Sequence, residues 1–176
     1  MKNFFVGIAA AGVAALIGAY FFVIFGLMPA NADANPSALE RWAAHKSLHA
    51  TIARQAPKGP NPVALSDENM TAGVKLYAAN CAVCHGAADH EASNVALGLY
   101  QKPPQLAKDD VTDDPEGATY WKVYHGIRMT GMPSFAKTLS ETQIWQLALF
   151  LKHMKELSPA VQKAWQAVPS QKTPAA

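Results

Sequence analysis

Cysteine and charged residues are both scarce in this chain. Only two of its 176 residues are cysteines, which excludes a disulfide-dense scaffold and a four-cysteine zinc site. Charged residues make up 16% of the sequence, and the formal net charge is only +2. Because nucleic-acid-binding domains concentrate basic residues in a patch, we expect no nucleic-acid partner. Three uses of the two cysteines stay open: one disulfide, part of a metal site, or one covalent attachment.

The sequence also lacks the usual signatures of enzymes and of β-sheet proteins. It contains no nucleophile–base pair, phosphate-binding glycine loop or internal repeat, and no segment alternates convincingly like a strand. Half of the residues are hydrophobic, which excludes wholesale disorder, and the length suits one compact domain with appendages. We therefore predict an all-α protein built on a single domain.

The amino-terminal segment, residues 1–32, is predicted to be a transmembrane anchor. Residues 4–28 carry no charge; four of them are glycine and the other 21 are hydrophobic. About 20 such residues span a bilayer as a helix, whereas the apolar part of a secretory signal has only about 7–15 residues. Length thus favours a retained anchor. The alternative is a cleaved signal, because Ala30-Asn31-Ala32 has the A-x-A form of a cleavage site.

Both uses of this segment export the rest of the chain. Lys2 precedes the apolar run, and Asn31 and Asp33 follow it, so the positive-inside tendency keeps the amino terminus in the cytoplasm. We expect a single-pass protein of a bacterial inner membrane, with the residues from Asp33 onward in the periplasm.

Residues 33–65 are predicted to be a connector that contains an amphipathic helix. From residue 36 to residue 65, four basic residues against one acidic residue give a charge of +3, and His45 and His49 lie four residues apart. Two explanations of this charge stay open. The helix rests on anionic lipid headgroups, or it forms a docking surface for a partner subunit.

The remaining helices are predicted from residues that can cap them. Serine and aspartate side chains accept hydrogen bonds from the free N–H groups of a first helical turn. By this criterion helices start at Ser37, at Ser66 or Asp67, at Asp113 or Asp114 followed by Pro115, and at Ser140, where Gln143 completes a capping box. We predict one folded unit over residues 66–157 and a polar tail over residues 158–176, with one marginal helical turn.

Both cysteines lie in the motif CAVCH, as Cys81 and Cys84, with His85 directly after them. The C-x-x-C-H spacing indicates c-type haem attachment. Two thiols one helical turn apart reach the two vinyl groups at one porphyrin edge, and the histidine binds the iron. A thioredoxin-like motif would need a preceding strand, but a helix is predicted there. A zinc site would need two more ligands. His90 and His125 are candidates, but their distances in sequence from the two cysteines do not match a zinc-site pattern.

The second axial ligand of such a haem is predicted to be a methionine. A thioether opposite the histidine raises the reduction potential and suits electron transfer. Met129 and Met132 lie in the loop GIRMTGMPSF. We favour Met132, because Gly131 allows close approach of the backbone and Pro133 fixes the backbone that follows. His125 ranks third.

Residues 66–157 resemble a class I cytochrome c. That family has a first helix ending in C-x-x-C-H, a proline loop, a short central helix, a G-M-P-type loop and a last helix, and all five occur here in this order. The run from Tyr120 to Phe135 is similar to bacterial membrane-anchored single-haem members. The resemblance implies the cytochrome c fold around one haem c, bound covalently at Cys81 and Cys84.

The resemblance also implies roles for residues outside the motif. In the family, a carbonyl of the proline loop accepts the Nδ1 proton of the iron-binding histidine, and Pro103 or Pro104 matches that position. Trp121 and Arg128 are candidates for hydrogen bonds to a haem propionate; the alternatives are ordinary packing for Trp121 and a solvated Arg128.

A packing contact follows from the resemblance as well. The family's first and last helices touch through a glycine and aromatic residues. Gly73 and Tyr77, with Trp145 and Leu149 opposite, resemble that contact. It would join the first and last helices of the folded unit.

The predicted function is transfer of single electrons between a redox donor and a redox acceptor. With His85 and Met132 both bound, the iron has no position free for a substrate, so we expect neither a small-molecule substrate nor enzymatic activity. The second hypothesis is a non-catalytic subunit of a membrane dehydrogenase or oxidase. The third is a haem enzyme or gas sensor with a labile sixth ligand.

Charge is consistent with a protein partner. Residues 66–157 contain eight basic and eleven acidic residues. An acidic cluster can steer a basic partner, or it can simply be a solvated loop. Its members are Asp109, Asp110, Asp113, Asp114 and Glu116.

Overall fold

The computed structural model describes residues 1–27, 29–109 and 111–172, and within those ranges it contains eight helices and no strand. The helices are α1 (Lys2–Ile24), α2 (Ala38–Gln55), α3 (Asp67–Asn80), α4 (Ala82–His85), α5 (Asn94–Gly98), α6 (Glu116–His125), α7 (Glu141–His153) and α8 (Pro159–Gln166). The predicted all-α class is confirmed. The chain forms two compact units, residues 1–32 and residues 33–176.

α1 makes up most of the first unit and is apolar on all sides. It has 23 residues and a mean hydropathy of 2.2, and none of its residues is buried. In the described part of the chain it is the one helix that could cross a membrane by length and composition, a test that a signal sequence also passes. It fits a single-pass anchor. The last residue of the predicted apolar run, Met28, lies outside the described residues.

Serine side chains start α2, α3 and α7, as the sequence predicts. Ser37, Ser66 and Ser140 each accept a hydrogen bond from the backbone N–H three residues further on. At α7 the side chain of Gln143 also accepts from the backbone N–H of Ser140 at 2.8 Å, which completes the capping box. These bonds satisfy N–H groups that have no partner within the helix.

α6 starts differently from the prediction. Pro115 precedes the helix as its N-cap and does not lie in its first turn, and no side chain caps the helix. The carboxylate of Asp114 instead forms an ion pair with Lys122, further along α6. The Asp114 side chain therefore contacts the middle of α6 and does not cap its first turn.

The core of the second unit lies where α3 crosses α7. A Cβ atom on Gly73 would lie 2.7 Å from the Cβ atom of Phe150, so only glycine allows this approach. Tyr77 is fully buried, and its ring packs edge-to-face on Phe150 with 5.7 Å between centroids. The glycine–aromatic contact is present, but the partners predicted on α7 were Trp145 and Leu149.

The α7 register therefore differs from the prediction. Phe150 follows Leu149 by one residue, which is about 100° of rotation on a helix. Trp145 is also buried, but it stacks on Tyr120 of α6 with 4.3 Å between centroids. One side of α7 thus faces α3 while another faces α6.

The predicted connector packs on the folded unit through α2. Ile52 and Ala56 are buried together with Ala118 of α6. A Cβ atom on Gly117 would overlap the carbonyl of Pro57, so α6 approaches the chain closely just after α2 ends. The segment is therefore part of the second unit and not a free linker.

The segment predicted as a polar tail also contributes to the core. Val161, Trp165 and Val168 are buried, and they recur at the i, i+4, i+7 spacing of one helix face. The Trp165 ring lies 5.3 Å from Tyr77 and from Phe150. The structure differs here from the single marginal turn that the sequence suggested, because α8 completes the core behind Tyr77.

We predict that Trp165→Ala lowers the free energy of unfolding by about 3–5 kcal/mol, the usual effect of emptying a buried aromatic site. Trp42→Ala is the matched control: Trp42 is 61% exposed and Trp165 is 5% exposed. Urea denaturation of the holoprotein in mild detergent, followed by circular dichroism, measures both. Equal effects of the two substitutions would show that α8 does not pack on the core.

Candidate cofactor site

A mostly apolar cleft opens beside the cysteine motif. Its walls come from three stretches of the chain, residues 80–85, residues 99–104 and residues 123–135. The space between these walls, with the open mouth included, is about 710 Å³. The cleft therefore brings three separate stretches of the chain around one space.

The cysteine motif continues directly from α3 into the short helix α4. Cys81 ends α3 and precedes α4, and its carbonyl accepts from the N–H groups of Cys84 and His85 at 3.0 and 2.9 Å. This turn brings both thiols and the imidazole to the same wall of the cleft. Neither cysteine forms a disulfide, so both sulfur atoms are available for another bond.

The Cys81 thiol has the opposite character to a reactive redox cysteine. Burial, with a smaller contribution from the neighbouring Cys84, raises the pKa of Cys81 to about 12. Thioredoxin-like motifs lower a cysteine pKa so that the thiolate can attack a disulfide. Since α3 precedes the motif where such proteins have a strand, both observations argue against a dithiol oxidoreductase.

The ring of His85 is held in one orientation. Its Nδ1 lies 2.8 Å from the carbonyl oxygen of Pro104. That oxygen can only accept, so Nδ1 carries the proton and donates, which leaves Nε2 with a free electron pair. Burial lowers the pKa of His85, although its bond to Pro104 acts the other way. A neutral imidazole with one fixed donor is the form that binds metals.

The backbone of the motif is fixed from behind by Tyr77. Its hydroxyl donates to the carbonyls of Gly86 at 2.8 Å and His85 at 3.2 Å. Burial raises the pKa of Tyr77, so the hydroxyl remains a donor. The sequence suggested only packing for this residue. The sequence signal for this role was the position of Tyr77 four residues before Cys81, which places the two residues on the same helix face.

Met132 lies on the wall of the cleft, and Met129 does not. The loop after α6 is held by bonds from the Ile127 N–H to the Met132 carbonyl and from the Met132 N–H to Thr130 Oγ1, each at 3.1 Å. Met132 is half-buried and packs against the core. Met129 is 86% exposed. Only one of the two candidate thioethers therefore faces the ligand space.

Trp121 and Arg128 are not among the residues that line the cleft. Trp121 lies on the side of α6 that packs against α2, and Arg128 is exposed. The Trp121 Nε1 atom is buried and has no hydrogen-bond partner among the described residues. The propionate contacts of both residues stay predictions.

The two other histidines considered from the sequence lie away from the cleft as well. His125 is exposed and packs on Trp121 with 4.9 Å between ring centroids. His90 is exposed, with a φ of 61°. Within residues 1–27, 29–109 and 111–172, no group of three or more His, Cys, Asp or Glu side chains could hold a metal ion. The zinc alternative therefore has no ligand set in this part of the chain.

Most of the acidic cluster is bonded within the fold. Asp110 lies outside the described residues. Three other members have side-chain bonds within the second unit: Asp109 accepts from the Gln105 N–H, Asp114 pairs with Lys122, and Glu116 accepts from Asn61. These bonds give the cluster a structural role in the loop before α6.

The donor set fits an iron porphyrin. Two free thiols, a neutral imidazole and a thioether line the cleft, and no carboxylate is among its lining residues. Thioether and imidazole are the axial ligands of electron-transfer haems. Apolar walls suit a flat apolar ring.

One family model matches the chain. It is described as cytochrome C oxidase, cbb3-type, subunit III, and it matches residues 68–151. The match begins in α3 and ends in α7, so it contains the cysteine motif and the Met132 loop. No curated protein and no solved structure gave a significant match.

We predict that Tyr77→Phe lowers the free energy of unfolding by about 1–2 kcal/mol, because the buried Gly86 carbonyl loses its donor. Tyr100→Phe is the matched control: its hydroxyl donates to Glu40 in an exposed bond, so the loss should be within about 0.5 kcal/mol. Denaturant titration of the holoproteins compares the two. A larger effect at Tyr100 would contradict the assignment.

Proposed function

We propose that this protein is a membrane-tethered carrier of single electrons between redox complexes, because residues 68–151 match the model of a c-type cytochrome family. The observation that carries the proposal is the cleft, which has Cys81, Cys84, His85 and Met132 on its walls. Haem c bound in this cleft supplies an iron that gains and loses one electron.

The chain's residues have distinct roles in this proposal. Cys81 and Cys84 would hold the haem through thioether bonds, and His85 would bind the iron through Nε2. The bond from His85 Nδ1 to the Pro104 carbonyl fixes the ring and makes Nε2 more basic. Met132 would bind the iron through its thioether, a ligand that raises the reduction potential.

The apolar walls exclude water from the iron, which also affects its potential. Val123 and Phe135 are among the residues that provide these walls. If His85 and Met132 both bound the iron, they would leave it no position for a substrate. The chain would then hold the haem for electron transfer rather than for substrate chemistry.

The proposed location follows from α1. We propose that α1 is retained as a single-pass anchor in a bacterial inner membrane and that the second unit lies in the periplasm. α1 has 23 residues, and after Lys2 and Asn3 all of them are hydrophobic or glycine; this length supports a span rather than a cleaved signal. Lys2, the first residue of α1 and the one before its apolar run, supports a cytoplasmic amino terminus.

A second candidate function is that of an electron-transfer subunit in a membrane-bound oxidase. The description of the matching family, a subunit of a cytochrome c oxidase, favours it. Such a subunit would have the same haem ligands. It would differ from a carrier in its permanent association with the other subunits.

Replacing the axial methionine tests the proposed site. In Met132→Ala we expect loss of the weak long-wavelength absorption of thioether-bound ferric iron and a gain of carbon monoxide binding by the ferrous protein, because one iron position opens. Met129→Ala is the matched control and should keep both properties of the wild type, since Met129 is 86% exposed. Ready carbon monoxide binding by the wild type at neutral pH would favour the haem enzyme or gas sensor instead.

Purification from the native membrane separates the carrier from the subunit. In mild detergent, we expect the carrier to elute as a free monomer with one haem, because its contacts with partners are transient. Blue native electrophoresis with haem staining measures the size. A stable stoichiometric complex would replace the carrier proposal with the subunit.

A further inference from the structure

The outer face of α2 is not used in packing within the described part of the second unit. The inner face of this helix packs on α6 through Ile52 and Ala56. On the outer face, Leu39 is 72% exposed and Trp42 is 61% exposed, and Lys46 continues the same helix face. Two large apolar side chains in the first turns of a helix are therefore open to a partner.

Basic side chains surround these two apolar residues. Arg41, Trp42, His45, Lys46 and His49 border one shallow groove on α2. The single acid in this part of the helix is Glu40, and its carboxylate already accepts from the Tyr100 hydroxyl at 2.8 Å. With Arg41 and Lys46 against Glu40, the first half of α2 has a formal net charge of +1.

Charge is distributed unevenly along the second unit. The other end of α2 leads to Pro57, which contacts Gly117 in the first turn of α6. Asp109, Asp113 and Asp114 precede this turn in the sequence, and Glu116 lies in it. Arg54 and Lys58 also lie at this end of α2, which therefore carries charge of both signs, whereas the start of α2 carries basic residues with Glu40 as its single acid.

The position of α2 in the chain favours a lipid surface as the partner. Residues 25–37 join α1 to α2, and thirteen residues can span at most about 45 Å. If α1 lies in a bilayer, the start of α2 is within reach of its surface. Tryptophan prefers the headgroup level of a membrane, and lysine and arginine bind anionic headgroups.

We propose that the first half of α2 lies on the anionic phospholipid surface of the membrane, with Leu39 and Trp42 at headgroup level and Arg41 and Lys46 on lipid phosphates. The proposal rests on the retained anchor of the proposed function. The bond between Glu40 and Tyr100 links this end of α2 to the chain at residues 99–104, which lines the cleft. Lipid contact would therefore orient the cleft relative to the membrane.

A spin label measures the contact directly in the full-length holoprotein. Haem attachment uses both native cysteines, so Ala43→Cys adds one reactive thiol on the exposed side of α2. The protein is placed in nanodiscs of phosphatidylcholine alone or of phosphatidylcholine mixed with phosphatidylglycerol. Electron paramagnetic resonance then compares collisions of the label with oxygen, which enters lipid, and with a nickel chelate, which stays in water.

In the anionic nanodiscs we expect the label to prefer oxygen, and in phosphatidylcholine alone we expect it to prefer the chelate. The double variant Arg41→Glu, Lys46→Glu should lose the oxygen preference. The matched control Lys163→Glu reverses an exposed charge on α8 and should keep it. An unchanged haem spectrum shows that the variants are folded.

A label that prefers the chelate in both lipids would overturn the proposal. The proposal would also be overturned if collisions of the label with the chelate fell only after a purified redox partner was added, because the surface would then bind protein. Loss of the anchor has a separate signature: the protein would no longer co-elute with the nanodiscs. Failure of the electron-carrier function would change the redox spectrum of the haem but not the preference of the label for oxygen or chelate.

Discussion

The hydroxyl of Tyr77 joins the cysteine motif to the core of the second unit. Its ring packs between Phe150 of α7 and Trp165 of α8, and its oxygen donates to the carbonyl of Gly86, directly after the motif. A buried donor of this kind has no water to replace its partner, so displacement of the loop would leave both groups unpaired. The position of His85 therefore depends on helices that do not line the cleft.

The two candidate iron ligands, an imidazole and a thioether, come from different stretches of the chain. The imidazole is fixed on one wall by Pro104, and the thioether comes from a separate loop after α6. Because the chain fixes donors of the types that haem iron prefers in electron transfer, the proposed function follows from the site rather than from the fold alone.

Local signals in the sequence predicted the helix start at Ser140 and limited the start of α3 to Ser66 or Asp67, of which Ser66 is the cap. The loop sequence also favoured Met132 over Met129 as the iron ligand, and Met132 is the one of the two that lines the cleft. Contacts between distant segments were not predictable in the same way. The family resemblance placed Leu149 opposite Gly73, but α7 is apolar around much of its circumference, so its sequence pattern could not show that Phe150 takes this position. α8 has only eight residues, too few for a stable isolated helix, and its contact with Tyr77 could not be read from its own sequence.

Proton nuclear magnetic resonance can detect binding of the haem iron by Met132. In the ferrous holoprotein with labelled methionine methyl groups, a methyl directly above the porphyrin is shifted far upfield by the ring current. Binding by Met132 predicts one such signal among the six methionines, present in Met129→Ala and absent in Met132→Ala. A wild-type spectrum with no upfield methionine methyl, or with one that persists in Met132→Ala, would contradict it.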